Sequence, residues 1–158
     1  TPELTKWWEQ AESDFRKHRE VFNALGRRLK VIQRIDDEVL ASIVAFYPQS
    51  TLGDKVVQVW YQSEEDPEWP DARICLNVHD ALICQASPKT IKTALRIMKK
   101  YAESPIMIQD AWHRKAEPLI IPADCKISYP VIRDEKTGKF VEDKKGTHRW
   151  SHLKGVEL

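Results

Sequence analysis

The stretch 73–87, RICLNVHDALICQAS, constrains the fold more than any other part of the chain. Two short runs of β-forming residues, 74–78 and 82–84, flank the dipeptide His79-Asp80. Aliphatic and β-branched residues bounded by polar ones are typical of strands, so the pattern predicts a β-hairpin over 73–85 with Asp80 at its tip. A carboxylate there stands on a rigid support and points into open space, which suits a divalent cation and a phosphate. Asp also forms turns readily, which explains the same residue without any function.

Size and charge set limits on the rest of the chain. With 158 residues and 42% hydrophobic content, the chain is long enough for a single domain with its own core. The 25 Lys and Arg residues nearly balance the 24 Asp and Glu residues, which leaves a net charge of +1. A nucleic-acid partner would therefore have to bind local clusters of basic residues, because there is no strong overall field.

The cysteines and the apolar runs indicate a reducing, non-membrane location. Cys75, Cys84 and Cys125 lie in apolar, strand-like runs without the paired spacings of zinc sites or secreted disulfide frameworks. They are predicted to be buried, reduced thiols. No apolar run approaches membrane-spanning length, so we expect no membrane partner and a cytoplasmic protein, or one in the host-cell cytoplasm if it is viral.

The first 35 residues predict a helix followed by a basic turn. Thr1-Pro2-Glu3 has the pattern of a helix start, and an apolar stripe at helical spacing extends the helix over 1–24. A helix that starts at the first residue leads us to expect that a preceding part was removed or is encoded elsewhere. Gly26 is predicted to end this helix. Arg27 and Arg28 follow together, and pairing with the acidic residues at 36–38 is one explanation for them.

The middle and end of the chain predict further helices and strands. Helices are expected over about 36–61, interrupted at Pro48, and over 88–103, with terminal strands over 118–150. Gln49 stands at the interruption, where it could cap a new helix start. Gly53 weakens the helical segment that follows Pro48, so a close packing contact is expected at this glycine. The segment 131–148 predicts an exposed second hairpin, and His148 and His152 have a spacing that could serve a metal on a helix, although no third ligand stands near.

Four of these motifs together resemble the family A DNA polymerases, those of the bacterial DNA polymerase I type. That family has, in order, a Gly-Arg-Arg segment, a Pro-x-Gln-Gly-Thr-like helix start, a Val-His-Asp-Glu hairpin called motif C, and a late strand of variable sequence. Here the corresponding segments are 26–28, 48–51, 78–81 and 118–125. The resemblance covers about residues 2–150 and implies the C-terminal palm portion of such an enzyme. The fold it implies is α+β, with an antiparallel palm-type sheet whose central β-hairpin is backed by amphipathic helices.

The resemblance also implies roles for five residues. Asp80 would be a catalytic carboxylate and a ligand of Mg²⁺, and His79 would lie by the primer terminus, where its alternative is a structural residue that fixes the turn. Gln49 would contact the minor groove of the primer–template, where the acceptors of correct base pairs are alike. Arg27 and Arg28 would lie beside the DNA duplex, where guanidinium groups suit phosphate oxygens.

The same comparison shows what the chain lacks for polymerisation. The family's second acid in motif C is Ala81 here, and neither the motif A carboxylate nor the helix that binds the incoming nucleotide is found. A two-metal site needs carboxylates from more than one segment, and this chain supplies a single ligand. We therefore expect a chain that is inactive alone and that acts on primer–template DNA and dNTP with a partner polypeptide carrying motif A and the nucleotide-binding helix. A non-catalytic duplex-DNA-binding domain is the alternative. A metal phosphohydrolase of the His-Asp type is disfavoured. Such an enzyme carries its His-Asp pair on a helix, whereas His79 and Asp80 lie between two predicted strands.

Overall fold

The computed structural model describes residues 2–108, 117–137, 139–142, 149–150 and 154–156. Within these ranges the protein is a mixed α/β structure with three helices and short antiparallel strands, in agreement with the α+β class. The strands of the described ranges form four two-stranded sheets and one three-stranded sheet. The chain divides into two compact units, Thr1–Pro122 and Ala123–Leu158, where chain length alone predicts one.

The first helix is shorter than its apolar stripe predicts. Helix α1 spans Pro2–His18, and Arg19 then takes a left-handed conformation with φ 54°. The next residues form strand β1, Glu20–Phe22, which pairs with strand β2, Arg28–Lys30. The predicted helix over 1–24 is therefore wrong beyond residue 18, because 20–22 bond to another strand. Gly26, at φ 85°, lies in the turn of this hairpin and does not end the helix.

The second helix is continuous where an interruption was predicted. Helix α2 spans Asp37–Glu64, capped by Asp36, whose Oδ1 accepts a hydrogen bond from Val39 N at 2.9 Å. Pro48 lies inside it and has no N–H to donate, yet the helix continues. One turn on, Thr51 Oγ1 donates to the carbonyl of Tyr47 at 2.6 Å. A Cβ added at Gly53 would meet no atom within 4 Å, so the close packing expected there is wrong.

The central hairpin is confirmed. Strand β3, Ala72–Val78, pairs antiparallel with strand β4, Ala81–Ala86, and Val78 lies opposite Ala81 across the turn. The register shifts between Ile74 and Leu76, which leaves Cys75 in a bulge. Cys75 is exposed, so its predicted burial is wrong, whereas Ile74 is only 3% exposed.

Two helices back this hairpin and form the core with it. Helix α3 spans Ile91–Ala102 and packs against α2, and both helices contact the hairpin. The helix begins three residues later than predicted, because Thr90 N and Ile91 N both donate to the Ser87 carbonyl and the chain turns over 88–90. The core side chains of the two helices are Ile43, Val44, Val56, Val59, Ala94, Leu95, Ile97 and Met98.

The remaining strands are short. Strand β5, Ile106–Ile108, pairs with β6, Glu117–Leu119. In the second unit, β7, Lys126–Ile127, pairs with β11, Lys154–Gly155, while β8, Pro130–Arg133, lies between β9, Phe140–Glu142, and β10, Arg149–Trp150.

Three predictions fall on this part of the chain. The hairpin predicted within 131–148 is confirmed in the pairing of β8 with β9. A strand over 118–125 is wrong past Leu119, since residues 120–125 have no regular structure and Pro122 has no N–H for a ladder. His148 and His152 lie outside the described residues. None of the three described helices combines the length and the apolar content needed to cross a lipid bilayer.

Candidate functional site

His79 and Asp80 form the two-residue turn of the central hairpin. Both are exposed, and His79 has φ 56°, a left-handed conformation that disfavours residues with a Cβ. A two-residue hairpin loop with positive φ at its first position alone has the pattern of a type II′ turn, which favours glycine there. The chain thus keeps histidine where glycine would be more stable. The carboxylate of Asp80 stands next to it at the end of a paired ladder.

The base of this hairpin is anchored, while its tip projects. Ile74 is buried, Trp69 Nε1 donates to the Ala72 carbonyl at 3.2 Å, and Thr90 Oγ1 donates to the Asp71 carbonyl at 3.3 Å. Seven strand residues at about 3.3 Å each separate this base from the tip by roughly 20 Å. An exposed carboxylate is a hard oxygen ligand and suits Mg²⁺. Among the described residues, no group of three or more His, Cys, Asp or Glu side chains converges on a possible metal position.

The turn of the β1–β2 hairpin holds Arg27 in a hydrogen-bonded cluster. Arg27 Nε donates to Asp54 Oδ2 at 2.9 Å, and Arg27 Nη2 donates to Asp54 Oδ1. Asn23 Nδ2 donates to the same carboxylate at 2.7 Å, and Asn23 Oδ1 accepts from the N–H groups of Leu25 and Arg27. The hydrogen bond from Arg27 holds the pKa of Asp54 below its usual value.

Arg28 is held more loosely. Its Nη1 lies 3.8 Å from Glu20 Oε2, and its side chain is 61% exposed, close to the 59% of Arg27. The sequence-based alternative, in which the two arginines pair with the acids at 36–38, is wrong, because their partners are Asp54 and Glu20. Both guanidinium groups therefore keep solvent-facing donors.

Positive charge is concentrated in the segment of the chain that contains this hairpin. Residues 16–34 contain seven Lys or Arg residues and one acid, Glu20, although the whole chain has a net charge of only +1. All seven basic side chains are exposed, namely Arg16, Lys17, Arg19, Arg27, Arg28, Lys30 and Arg34. A local basic surface of this kind attracts the phosphate backbone of nucleic acids.

Gln49 lies on α2, two residues before a contact of that helix with the β1–β2 turn. It is exposed on α2, directly after Pro48, and the alternative that it caps a helix start is wrong because Asp36 caps this helix. Two residues further on, Thr51 Oγ1 accepts a hydrogen bond from Ala24 N at 3.2 Å. Residues two apart on a helix do not share a face, so this contact does not place Gln49 at the turn. The structure therefore brings the two arginines together on the β1–β2 hairpin, whereas Gln49 lies on the exposed side of α2. His79 and Asp80 form the tip of a different hairpin.

Polar contacts of Asp66, just after α2, with α3, and of Lys55, within α2, with Ser104 just after α3, were not predicted. Asp66 is buried, and its Oδ2 accepts from Lys100 Nζ at 2.9 Å and from Tyr101 Oη at 2.8 Å. Hydrogen bonds from Lys100, the Glu68 N–H and Tyr101 lower the pKa of Asp66 to about 2. Lys55 is also buried, and its Nζ donates to the Ser104 carbonyl at 2.8 Å, while burial lowers its pKa. These contacts hold the two helices that support the central hairpin.

Comparison with protein-family models, with curated proteins and with solved structures finds no match for this chain. What the molecule does must therefore be inferred from its own residues. Two regions have the chemistry of a site. One is the exposed carboxylate at the β3–β4 tip, and the other is the β1–β2 hairpin with the exposed basic residues of 16–34.

Proposed function

We propose that this chain is the C-terminal part of a template-directed DNA polymerase of family A and completes a two-metal nucleotidyl-transfer site together with a partner polypeptide. The observation that carries the proposal is the place of Asp80, exposed at the tip of an antiparallel hairpin whose base is anchored on two helices. A palm-type arrangement of this hairpin with the partner's strands is part of the proposal. The order of the Gly-Arg-Arg, Gln49 and His79-Asp80 motifs supports it.

Each region has a distinct task in this proposal. Asp80 holds Mg²⁺ against the triphosphate, and the bound ions supply electrostatic stabilisation of in-line phosphoryl transfer. His79 lies by the primer terminus, where its imidazole can donate or accept a hydrogen bond. Gln49 contacts the minor groove and orients the primer end. Arg27 and Arg28 bind phosphates of the duplex, a contact that does not depend on base sequence.

The partner polypeptide supplies what these residues cannot. A two-ion site requires carboxylates from more than one segment, and Ala81 stands beside Asp80 where the family has a second acid. The motif A carboxylate and the helix that binds dNTP must therefore come from the partner. The chain alone is expected to be inactive.

Reconstitution tests this proposal directly. The 158-residue chain is mixed with a family A polymerase fragment that carries motif A and the nucleotide-binding helix but lacks motif C, and single-nucleotide incorporation into a primer–template is measured with Mg²⁺. We expect no incorporation by either piece alone and clear incorporation by the mixture. The same mixture made with Asp80→Asn is the control. Synthesis by the chain alone, or equal synthesis by the control, would rule out the proposed split site.

A second function is favoured by the basic surface alone. A non-catalytic domain that binds duplex DNA would use the seven exposed basic residues of 16–34 and would leave Asp80 as a turn residue. The two functions predict different effects of Asp80→Asn. If Asp80→Asn leaves every activity of the chain and its complexes unchanged while Arg27→Ala weakens DNA binding, the accessory function is the correct one.

A further inference from the structure

Asp54 has a position that none of the motifs explains. It lies on α2, five residues after Gln49, with its side chain only 15% exposed. Both of its carboxylate oxygens accept hydrogen bonds from the Arg27 guanidinium, and Oδ2 also accepts from Asn23 Nδ2. Two-point contact between a carboxylate and a guanidinium fixes the plane of the fork as well as its distance.

The backbone that carries Arg27 is fixed by the same cluster. Asn23 is 5% exposed, and its Oδ1 accepts from Arg27 N at 2.8 Å and from Leu25 N at 3.0 Å. The backbone N–H of Asn23 donates to the Arg27 carbonyl at 3.0 Å. The start and the end of the Arg27 side chain are therefore both held. Few degrees of freedom remain to be lost when a ligand binds.

The outward side of the guanidinium is left open. A guanidinium has five N–H donors, and the two bonds to Asp54 leave about three of them for other acceptors. The side chain is 59% exposed and belongs to a segment, 16–34, whose seven basic side chains are all exposed. An acceptor that reaches this side from solvent among so many positive charges is expected to be an anion.

We propose that Asp54 is a positioning residue that holds the Arg27 guanidinium in the orientation that binds a phosphate of the DNA backbone. This inference rests on the proposed function, because it takes duplex DNA as the ligand. Asp54 itself does not touch DNA. It orients Arg27 before DNA binds. The conformational entropy of the Arg27 side chain is then already lost when the chain folds and is not lost again on binding.

The sign of one charge change separates this role from simple electrostatics. Asp54→Asn removes a negative charge beside a DNA-binding surface, and reduced repulsion alone would strengthen binding. Loss of orientation would weaken it instead. We expect roughly threefold to tenfold weaker binding of a fluorescein-labelled 20-base-pair duplex by the 158-residue chain, measured by fluorescence anisotropy.

The matched control is Glu20→Gln. It removes the same charge beside the other arginine, where the closest approach is 3.8 Å. This variant is expected to bind the duplex as well as the unmodified chain or better. In an Arg27→Ala background, Asp54→Asn should cause no further weakening, whereas a general structural defect would weaken both backgrounds equally.

Arg27→Lys keeps the inference testable if Asp54→Asn does not fold. Lysine retains the charge and loses the planar fork, so we expect a loss of affinity similar to that of Asp54→Asn. Unchanged binding by Arg27→Lys, or tighter binding by Asp54→Asn, would overturn the positioning role and leave the DNA-binding proposal intact. No duplex binding by the unmodified chain, or no effect of Arg27→Ala, would overturn the DNA contact itself and the inference with it.

Discussion

The two hairpins that carry the candidate residues hold them in opposite ways. At the β1–β2 turn, Arg27 donates from its backbone N–H to Asn23 Oδ1 and from its guanidinium to Asp54. Gly26 supplies the left-handed residue that this turn needs. At the β3–β4 tip, Asp80 is exposed and its neighbour His79 takes the left-handed conformation in place of glycine. The β1–β2 turn therefore has glycine at its left-handed position, while the β3–β4 turn has histidine there and is strained.

Under the proposed function, Arg27 and Asp80 need different kinds of support. A phosphate contact gains affinity when the chain itself orients the guanidinium, so the ordering residues are on the same polypeptide. A metal ligand is oriented by the ion and by the other ligands, which in the proposed enzyme come from a partner. Strain at a turn that carries function is a common arrangement in proteins, where stability is given up for chemistry.

The largest effect is expected at the strained tip. In the reconstituted enzyme, Asp80→Asn should reduce single-nucleotide incorporation at least about a hundredfold, because it removes the charge that holds the ion against the triphosphate. The amide still suits a turn, so the thermal unfolding temperature should hardly change. Asp71→Asn, an exposed acid at the base of the same hairpin, is the control and should keep full activity. Near-normal incorporation by Asp80→Asn at saturating Mg²⁺ would show that Asp80 is only a turn residue.

The next effect tests the hydrogen-bonded turn. Asn23→Ala removes three side-chain hydrogen bonds from a residue that is 5% exposed. The free energy of unfolding in urea should fall by about 2 kcal/mol, because buried donors and acceptors lose their partners. Asn77→Ala, an exposed asparagine of β3, should change it by less than about 0.5 kcal/mol. Equal effects of the two changes would remove the contrast between the hairpins.

A smaller effect concerns the charge on the β1–β2 hairpin. The double change Arg27→Ala and Arg28→Ala should weaken duplex binding about tenfold for any sequence, and the slope of log K against log salt should fall by about two. The control is Lys89→Ala with Lys92→Ala, which removes the same charge from two exposed lysines near the start of α3. If both pairs lower the slope equally, binding is spread over the surface and the β1–β2 turn has no special part in it.

The smallest effect is expected at His79. His79→Gly relieves a left-handed conformation, and we expect the folded state to gain about 0.5 kcal/mol after the entropy cost of glycine. Asp80→Gly, at a position without positive φ, should destabilise the hairpin instead. Urea unfolding of both variants measures this difference. A loss of stability in His79→Gly would mean that the imidazole, and not the backbone, sets the energy of the turn.

Local patterns predicted the central hairpin and its tip, because alternation and turn residues act over a few neighbours. Pro48 misled the prediction of α2, since a helix of 28 residues retains enough other bonds to continue past one missing donor. The apolar spacing that includes Phe22 misled the prediction of α1, because pairing with β2 overrides helical periodicity there.

The partners of the candidate residues could not be found in this way. Asp54 lies 27 residues from Arg27, and Asp66 lies 34 residues from Lys100, distances over which no local pattern carries information. The acids at 36–38 were closer in sequence to the arginines and were the wrong choice. Only the packing of α2 beside the β1–β2 turn decides which carboxylate is near.

The contact between Lys55 and Ser104 also bears on the order of folding. The two residues are 49 positions apart, and the whole β3–β4 hairpin lies within the loop that their hydrogen bonds close. Closing a loop of this length costs conformational entropy, and the contacts that stabilise the closed loop form only after this cost has been met. Contacts between near neighbours form first, so we expect the β3–β4 hairpin to pair before α2 and α3 dock and to take its fixed place on the two helices only when this loop closes.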